Sequence, residues 1–194
     1  MNETAFARFL ISSGAIRFGN FRLKSGLTSD TFFDFGNICR GKDALEMGAY
    51  YADFIIEHKL HSVDAIFGPA YKGISIALAT SMALFTKHGV DLPYIYNRKT
   101  AKAHGEQGIL IGYPIEKISS VLVVDDVITD GGTKYETIAL LSAYPHLKIK
   151  SMVVGIDREQ CAEDGTPFIV QFKRKTGIDV YAMTKRSVVK GLNP

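Results

Sequence analysis

Two adjacent carboxylates, Asp125 and Asp126, run directly into a turn of glycines and hydroxyls in the stretch VLVVDDVITDGGT, Val121 to Thr133. Small and hydroxyl residues at Thr129, Gly131, Gly132 and Thr133 let backbone N–H groups face an anion. A helix N-terminus behind them favours negative charge. That is chemistry for a phosphate. The neighbouring carboxylates repel the same phosphate, so their own partners are sugar hydroxyls or a hydrated Mg2+. The two halves together suit a phosphorylated sugar. The plainer reading is that the acids only cap the following helix, and the rest of the chain must decide between them.

A second cluster supplies charge of the opposite sign. The run RKTAKAHGEQG places Arg98, Lys99, Lys102 and His104 close together ahead of Gly105 and Gly108, which suit a mobile lid. Taken alone this is a solvated basic loop, but a departing pyrophosphate builds up negative charge that positioned cations stabilise. Lys72, in GPAYKG, enters a helix from a loop and is a point charge for phosphate oxygens. The run KRK at 173–175 has no such neighbours and reads as solvated surface. His58, His61, His88 and His146 lack metal-ligand spacing, so no zinc site is expected. The absence of GxxxxGK[ST] argues against a P-loop nucleotide hydrolase.

These residues need elements to position them. Val121 to Val124 is apolar without alternation, as a parallel strand covered on both faces requires, and the paired acids fall at its carboxyl end, where open α/β sheets bind ligands. Further strands are expected over Val63 to Phe67, Leu92 to Tyr96, Ser151 to Ile156 and Ile178 to Met183. Helices are expected over 3–13, over 42–60 from the stripe Leu45, Ala49, Ala52, Ile56 and Leu60, over a buried 74–87, and from the glycine turn to about Tyr144. A short basic helix closes the chain. This alternation predicts an α/β fold with a mostly parallel twisted sheet flanked by helices. The loops Gly68 to Gly73, Arg98 to Gly108 and Asp125 to Thr133 then share one sheet edge.

Ahead of that pattern, a Gly19-Asn20 turn between two short strands, a Gly-Ser loop and an aromatic strand Thr31 to Phe35 predict local antiparallel structure. Residues 14–36 are assigned to a small N-terminal hood over the sheet edge. The whole of 1–194 is read as one domain, with a core of about 42–160 and part of the C-terminal region joining the hood.

Composition sets bounds. With 194 residues, 46% hydrophobic and 22% charged, the chain can bury one sizeable core. A net charge of +3 suits an anionic ligand without the basicity of a nucleic-acid binder, so no nucleic-acid partner is expected. Cys39 and Cys161 form no CxxC pattern, which points to a reducing, cytoplasmic setting. MNETAFARFL reads as a first helix and not a signal peptide. The uncharged run Gly73 to Thr86 is shorter than the ~20 residues of a membrane span, so no membrane partner is expected either.

With these pieces assembled, the sequence resembles the orotate branch of the type I phosphoribosyltransferases. VVDDVITDGGT is similar to the motif by which that fold family binds 5-phosphoribosyl 1-diphosphate (PRPP). More specific are FRLKSGLTSDTFFDFG at 21–36, FGPAYKGI at 67–74, YNRKTAKAHGEQG at 96–108 and GIDREQ at 155–160, in the family's order. The resemblance implies transfer of the 5-phosphoribosyl group from PRPP to orotate, giving orotidine 5′-monophosphate and pyrophosphate, a step of UMP synthesis. It also implies a Mg2+ cofactor, held mainly by PRPP oxygens and water.

By motif position, Asp125 and Asp126 would hold ribose hydroxyls while Val127, Ile128, Thr129, Asp130, Gly131, Gly132 and Thr133 cradle the 5′-phosphate. Lys72, Arg98, Lys99, Lys102 and His104 would handle the pyrophosphate, with Lys102, Asp125 and Asp126 as the catalytic residues. Orotate would lie near Lys24, Phe32, Phe33 and Thr129 with Arg158 facing its carboxylate, a bidentate match. Strand alternation allows at most one of the two phenylalanine rings to stack on the base. The resemblance further implies a homodimer in which the lid serves the neighbour's site. Three positions depart from the family pattern: Asp130, whose carboxylate repels a phosphate unless it turns away, and Ala103 and Gln107 in the lid.

Overall fold

The computed structural model describes residues 1–22, 28–100 and 108–193. Among them, strands β3 (Ala65–Gly68), β4 (Tyr94–Asn97), β5 (Leu110–Gly112), β6 (Ser120–Ile128), β7 (Lys148–Asp157) and β8 (Asp179–Lys185) form one sheet in the order β5-β4-β3-β6-β7-β8. All pairings are parallel except β4 with β5.

The central strand explains why the sheet is covered on both sides. Leu122 and Val124 of β6 enter one core with Ile66 and Val153, while Val121 and Val123 enter a second with Phe67 and Met152. Successive side chains of a strand face opposite ways, and every one of these is buried. Helices α1 (Glu3–Ser12), α2 (Gly41–Glu57) and α3 (Lys72–His88) cover the first core, through Phe6, Leu10, Tyr51, Ile55 and Leu84. Helices α4 (Gly132–Ser142) and α5 (Phe168–Thr176) cover the second through Leu141 and Phe172. The short α6 (Arg186–Lys190) follows β8.

The carboxyl edge differs from expectation in a way that matters. β6 does not stop at Val124: it stays paired with β7 as far as Ile128, so Asp125 and Asp126 lie within the strand. Its other neighbour, β3, pairs with it only as far as Val123. Beyond that point β6 has a strand on one side alone, and a cleft opens on the other.

Other expectations are corrected. Gly19-Asn20 is not a hairpin turn. β1 (Ile16–Arg22) runs through it and pairs antiparallel with β2 (Thr28–Phe33), and the register slips by one residue between Phe18 and Phe21. This is a β-bulge, an extra residue that a glycine admits easily. Helix α3 is not buried all round. Gly48 draws α2 onto it so closely that a Cβ there would meet the Ala79 carbonyl oxygen at 2.3 Å. On its outward side Leu78, Met82 and Phe85 are exposed, and on α2 Leu45 is 64% exposed. The helix is apolar on more faces than one chain covers. The short antiparallel β5 and helix α5 went unanticipated. The basic run 173–175 is the last turn of α5, where cations favour the helix dipole, and Lys173 pairs with Asp179 at 2.5 Å.

Candidate active site

The cleft beside β6 has a volume of about 440 Å3 and is lined by Pro69 to Lys72, Asn97 to Lys99, Asp125, Asp126 and Thr133, with Ile109, Glu136, Thr137 and Leu140 completing its wall. Three loops that follow strands therefore meet at one edge, as their parallel order requires.

Asp125 is nearly enclosed, at 7% exposed. Its Oδ1 accepts from the Asp126 backbone N–H at 2.9 Å, and its Oδ2 lies 2.5 Å from Lys134 Nζ. The Tyr51 hydroxyl donates to its carbonyl at 2.7 Å. Burial raises the carboxyl pKa above its ordinary value, against the pull of the Lys134 ammonium. Asp126 is more open. Its Oδ1 accepts from Val127 N–H at 2.8 Å, and its Oδ2 faces Lys72 Nζ at 3.1 Å. Lys72 also reaches Asp34 Oδ1, at the end of the hood, at 3.0 Å. Burial works against the Lys72 charge, but Asp126 and Asp34 outweigh it and raise the pKa.

The loop carrying Lys72 is tightly built. Its Ala70-Tyr71 peptide is cis, and Ala70 N–H donates to Asn97 Oδ1 at 2.9 Å. Gly68 approaches Gly73 so closely that a Cβ would meet the Gly73 carbonyl oxygen at 2.1 Å. Arg98 closes the root of the basic loop: its N–H donates to Ile109 O at 2.7 Å and its guanidinium to Gly108 O at 2.9 Å. Lys99 Nζ lies 5.9 Å from the centre of the exposed Tyr71 ring.

At the glycine turn, Gly131 has a left-handed φ of 82° and α4 begins immediately after it. The Asp130 side chain folds back onto the turn: Oδ1 accepts from Gly132 N–H at 3.0 Å and from the Thr129 hydroxyl at 3.3 Å. It thereby occupies one of the amides expected to face a phosphate. Of the other motif residues, Val127 gives its carbonyl to Lys134 at 2.7 Å, and buried Ile128 gives its own to Arg158 N–H at 3.1 Å.

The two phenylalanines separate as alternation demands. Phe33 lies beneath Arg158, whose guanidinium carbon is 5.5 Å from the ring centre. Phe32 instead packs on Phe21 at 5.4 Å and on Arg17 at 5.2 Å, so Phe33 is the ring that shares a place with Arg158. Lys24, Lys102 and His104 lie outside the described residues.

Sequence reasoning missed Lys134, Asp34, Tyr51 and Asn97. Lys134 did carry a signal, because a lysine in the first turn of a helix opposes the helix dipole and needs a partner to be there. Among the described residues no cluster of three or more His, Cys, Asp or Glu could hold a metal ion, and no helix is long and apolar enough to cross a membrane.

A mostly parallel sheet with a small antiparallel pair of strands before it, a carboxylate pair followed by a glycine turn, and Arg98 and Lys99 lining the same cleft define a type I phosphoribosyltransferase. Residues 37–181 match the phosphoribosyl transferase domain family. The chain is 40% identical over 184 residues to an orotate phosphoribosyltransferase of Pseudomonas fluorescens, covering 95% of this chain and 85% of that one. It is 38% identical over 181 residues to that of Colwellia psychrerythraea, covering 93% and 80%. The crystal structure of orotate phosphoribosyltransferase from Francisella tularensis superposes with a TM-score of 0.78 at 34% identity, over 93% of this chain and 85% of that one. The chain belongs to the orotate phosphoribosyltransferase family.

Proposed function

We propose that the cleft beside β6 transfers the 5-phosphoribosyl group of PRPP to orotate, releasing pyrophosphate and forming orotidine 5′-monophosphate. The observation that carries this reading is the convergence of Lys72, Arg98, Lys99, Asp125, Asp126 and Thr133 on one cleft, with Arg158 over Phe33 at the carboxyl end of β7, the strand paired with β6.

In the transfer the bond from ribose C1 to pyrophosphate breaks as one forms to the base nitrogen, and C1 gains positive charge. Asp126, with Asp125 behind it, holds the ribose hydroxyls and offsets that charge. Backbone amides of Thr129 to Thr133 and the start of α4 receive the 5′-phosphate. Lys72, Arg98 and Lys99 meet the negative charge of the departing pyrophosphate, with Lys102 and His104 brought by the loop. Catalysis is then chiefly electrostatic, and no residue is assigned as general base. Arg158 takes the base carboxylate and Phe33 packs against the ring.

The donor set fits Mg2+ carried by PRPP itself. Both aspartates are already engaged by lysines, so the described residues offer no cage of free carboxylates, and pyrophosphate oxygens and water would be the natural ligands. When bound, the ion neutralises leaving-group charge.

A second copy of the chain is the partner that the exposed Leu78, Met82 and Phe85 stripe of α3 fits. Of its loop from Arg98 to His104, Arg98 and Lys99 line their own cleft, and the part that carries Lys102 and His104 would then serve the neighbour's. Mixing subunits inactivated by Lys102→Ala with others inactivated by Asp125→Asn would restore activity in hybrid dimers; hybrids that stay inactive would confine the loop to its own chain. The free, exposed Cys39 and Cys161 suit a reducing cytoplasm.

PRPP consumption measured with orotate, adenine and hypoxanthine tests the function itself. Consumption with orotate alone supports it, and consumption with a purine but not with orotate overturns it.

A further inference from the structure

Past the cleft, the far end of the sheet carries a second cation beside Arg158 that the transfer described above does not use. β7 and β8 are parallel neighbours with Asp157 opposite Lys185. The next residues, Arg158 and Arg186, therefore leave the same edge side by side. They are close enough that, after burial, the Arg186 charge contributes to lowering the Arg158 pKa. Like charges on long side chains ordinarily spread into water. Here each guanidinium instead keeps a buried Nε without a hydrogen-bond partner among the described residues.

The nearby acids do not resolve this. Glu159 accepts from Ser187 N–H at 2.7 Å and from the Ser187 hydroxyl at 3.0 Å, and Asp157 accepts from Glu159 N–H at 2.8 Å. Asp30, on the hood strand β2, holds Arg186 at 3.0 Å but shares itself with Lys190 at 2.6 Å. Arg158 forms no ion pair with any described residue. A cavity of about 360 Å3, lined by Thr28, Ser29, Asp30 and Arg186 among others, lies between the hood and this edge. Two neighbouring guanidiniums with unspent donors make a place for an anion with two acceptor oxygens.

We propose that Arg186 is a second specificity-determining residue for the base, sharing the carboxylate of orotate with Arg158. The proposal rests on the reading of Arg158 and Phe33 as the base site. A carboxylate entering there relieves the repulsion between the arginines and meets donors that otherwise stay unpaired. A base without a carboxylate leaves both cations uncompensated, which is how a polar site rejects an analogue lacking the group it was built to bind. Asp30 then acts as the anchor that points Arg186 inward from the hood.

Steady-state kinetics of the full-length enzyme with Arg186→Gln test this. KM for orotate is expected to rise roughly tenfold, as loss of one charge-assisted contact implies, while KM for PRPP and the melting midpoint stay unchanged. Arg186→Lys, which keeps the charge, is expected to recover part of the loss and serves if the glutamine variant does not fold. An unchanged KM for orotate in both variants, or equal rises in the two KM values, would overturn the proposal. Arg158→Gln separates the two readings: if it too leaves KM for orotate unchanged, the base site itself has been misplaced.

Discussion

Lys134 Nζ lies 2.5 Å from Asp125 Oδ2, and both side chains are almost wholly removed from solvent. The first acid of the pair is thus tied into the protein, and the second, Asp126, is the one presented with Lys72 to the cleft. Because a buried charge left without its partner is costly, Lys134→Met is expected to lower unfolding free energy by about 3–5 kcal/mol, measured by urea denaturation. The double variant Asp125→Asn with Lys134→Met should regain much of that stability without regaining kcat/KM for PRPP. If Lys134→Met alone were as stable as wild type, the pair would have no structural role.

Lys72 is shared between two carboxylates, Asp34 at 3.0 Å and Asp126 at 3.1 Å. An incoming phosphate has to compete with both. Asp34→Asn removes one competitor and is expected to lower KM for PRPP by roughly two- to fivefold, the modest effect of a half-exposed pair. Lys72→Met should raise it. A higher KM in Asp34→Asn would mean that the hood contact orients the lysine instead of restraining it.

Asp130 holds the Gly132 N–H at 3.0 Å. Asp130→Ala frees that amide and removes a negative charge, so KM for PRPP is expected to fall. Asp130→Asn keeps an acceptor while losing the charge, and comparison of the two separates repulsion from competition for the amide. Unchanged KM in both would show that the amide is not used.

Asp64 links the starts of β3 and β6. Its Oδ2 accepts from the backbone N–H groups of Ser119 and Ser120, both at 2.9 Å, and from their hydroxyls at 2.8 and 2.9 Å. The Ser119 amide and the hydroxyls hold its pKa below the ordinary 3.8. A depressed carboxyl pKa stabilises the fold above the unfolded value and loses that contribution as pH falls through the folded one. Melting midpoints of wild type and Asp64→Asn are therefore expected to differ by about 2–8 °C near neutrality and to converge as pH drops below 3.8. A constant gap would contradict the assignment.

Gly68→Ala would drive its Cβ into the Gly73 backbone, 2.1 Å from the carbonyl oxygen and 2.5 Å from the carbonyl carbon. The Lys72 loop has to move, so lower stability and a raised KM for PRPP are expected together. A variant with wild-type KM would show that the loop tolerates the shift.

The sequence disclosed those parts of the molecule that depend on neighbours along the chain. The unbroken apolar run Val121 to Val124 announced a strand covered on both faces, and the aspartates after it announced the edge at which the cleft opens. The end of that strand was not legible, because it depends on β7 continuing where β3 stops. Lys134 and Arg186 were overlooked because their partners, Asp125 and Asp30, become neighbours only in the fold. The outward side of α3 was misread as buried because apolar character alone does not say how many faces find a partner. Gly19-Asn20 has the composition of a turn, yet β1 absorbs it as a bulge.

The most direct test of the account is the rate of orotidine 5′-monophosphate formation from orotate, PRPP and Mg2+, by wild type and by a folded Asp126→Asn variant. Product is expected from the wild type, and a rate at least roughly 100-fold lower from the variant, as for loss of a group aimed at developing charge. Failure of the wild type to form product from orotate, or an undiminished rate in Asp126→Asn, would contradict it.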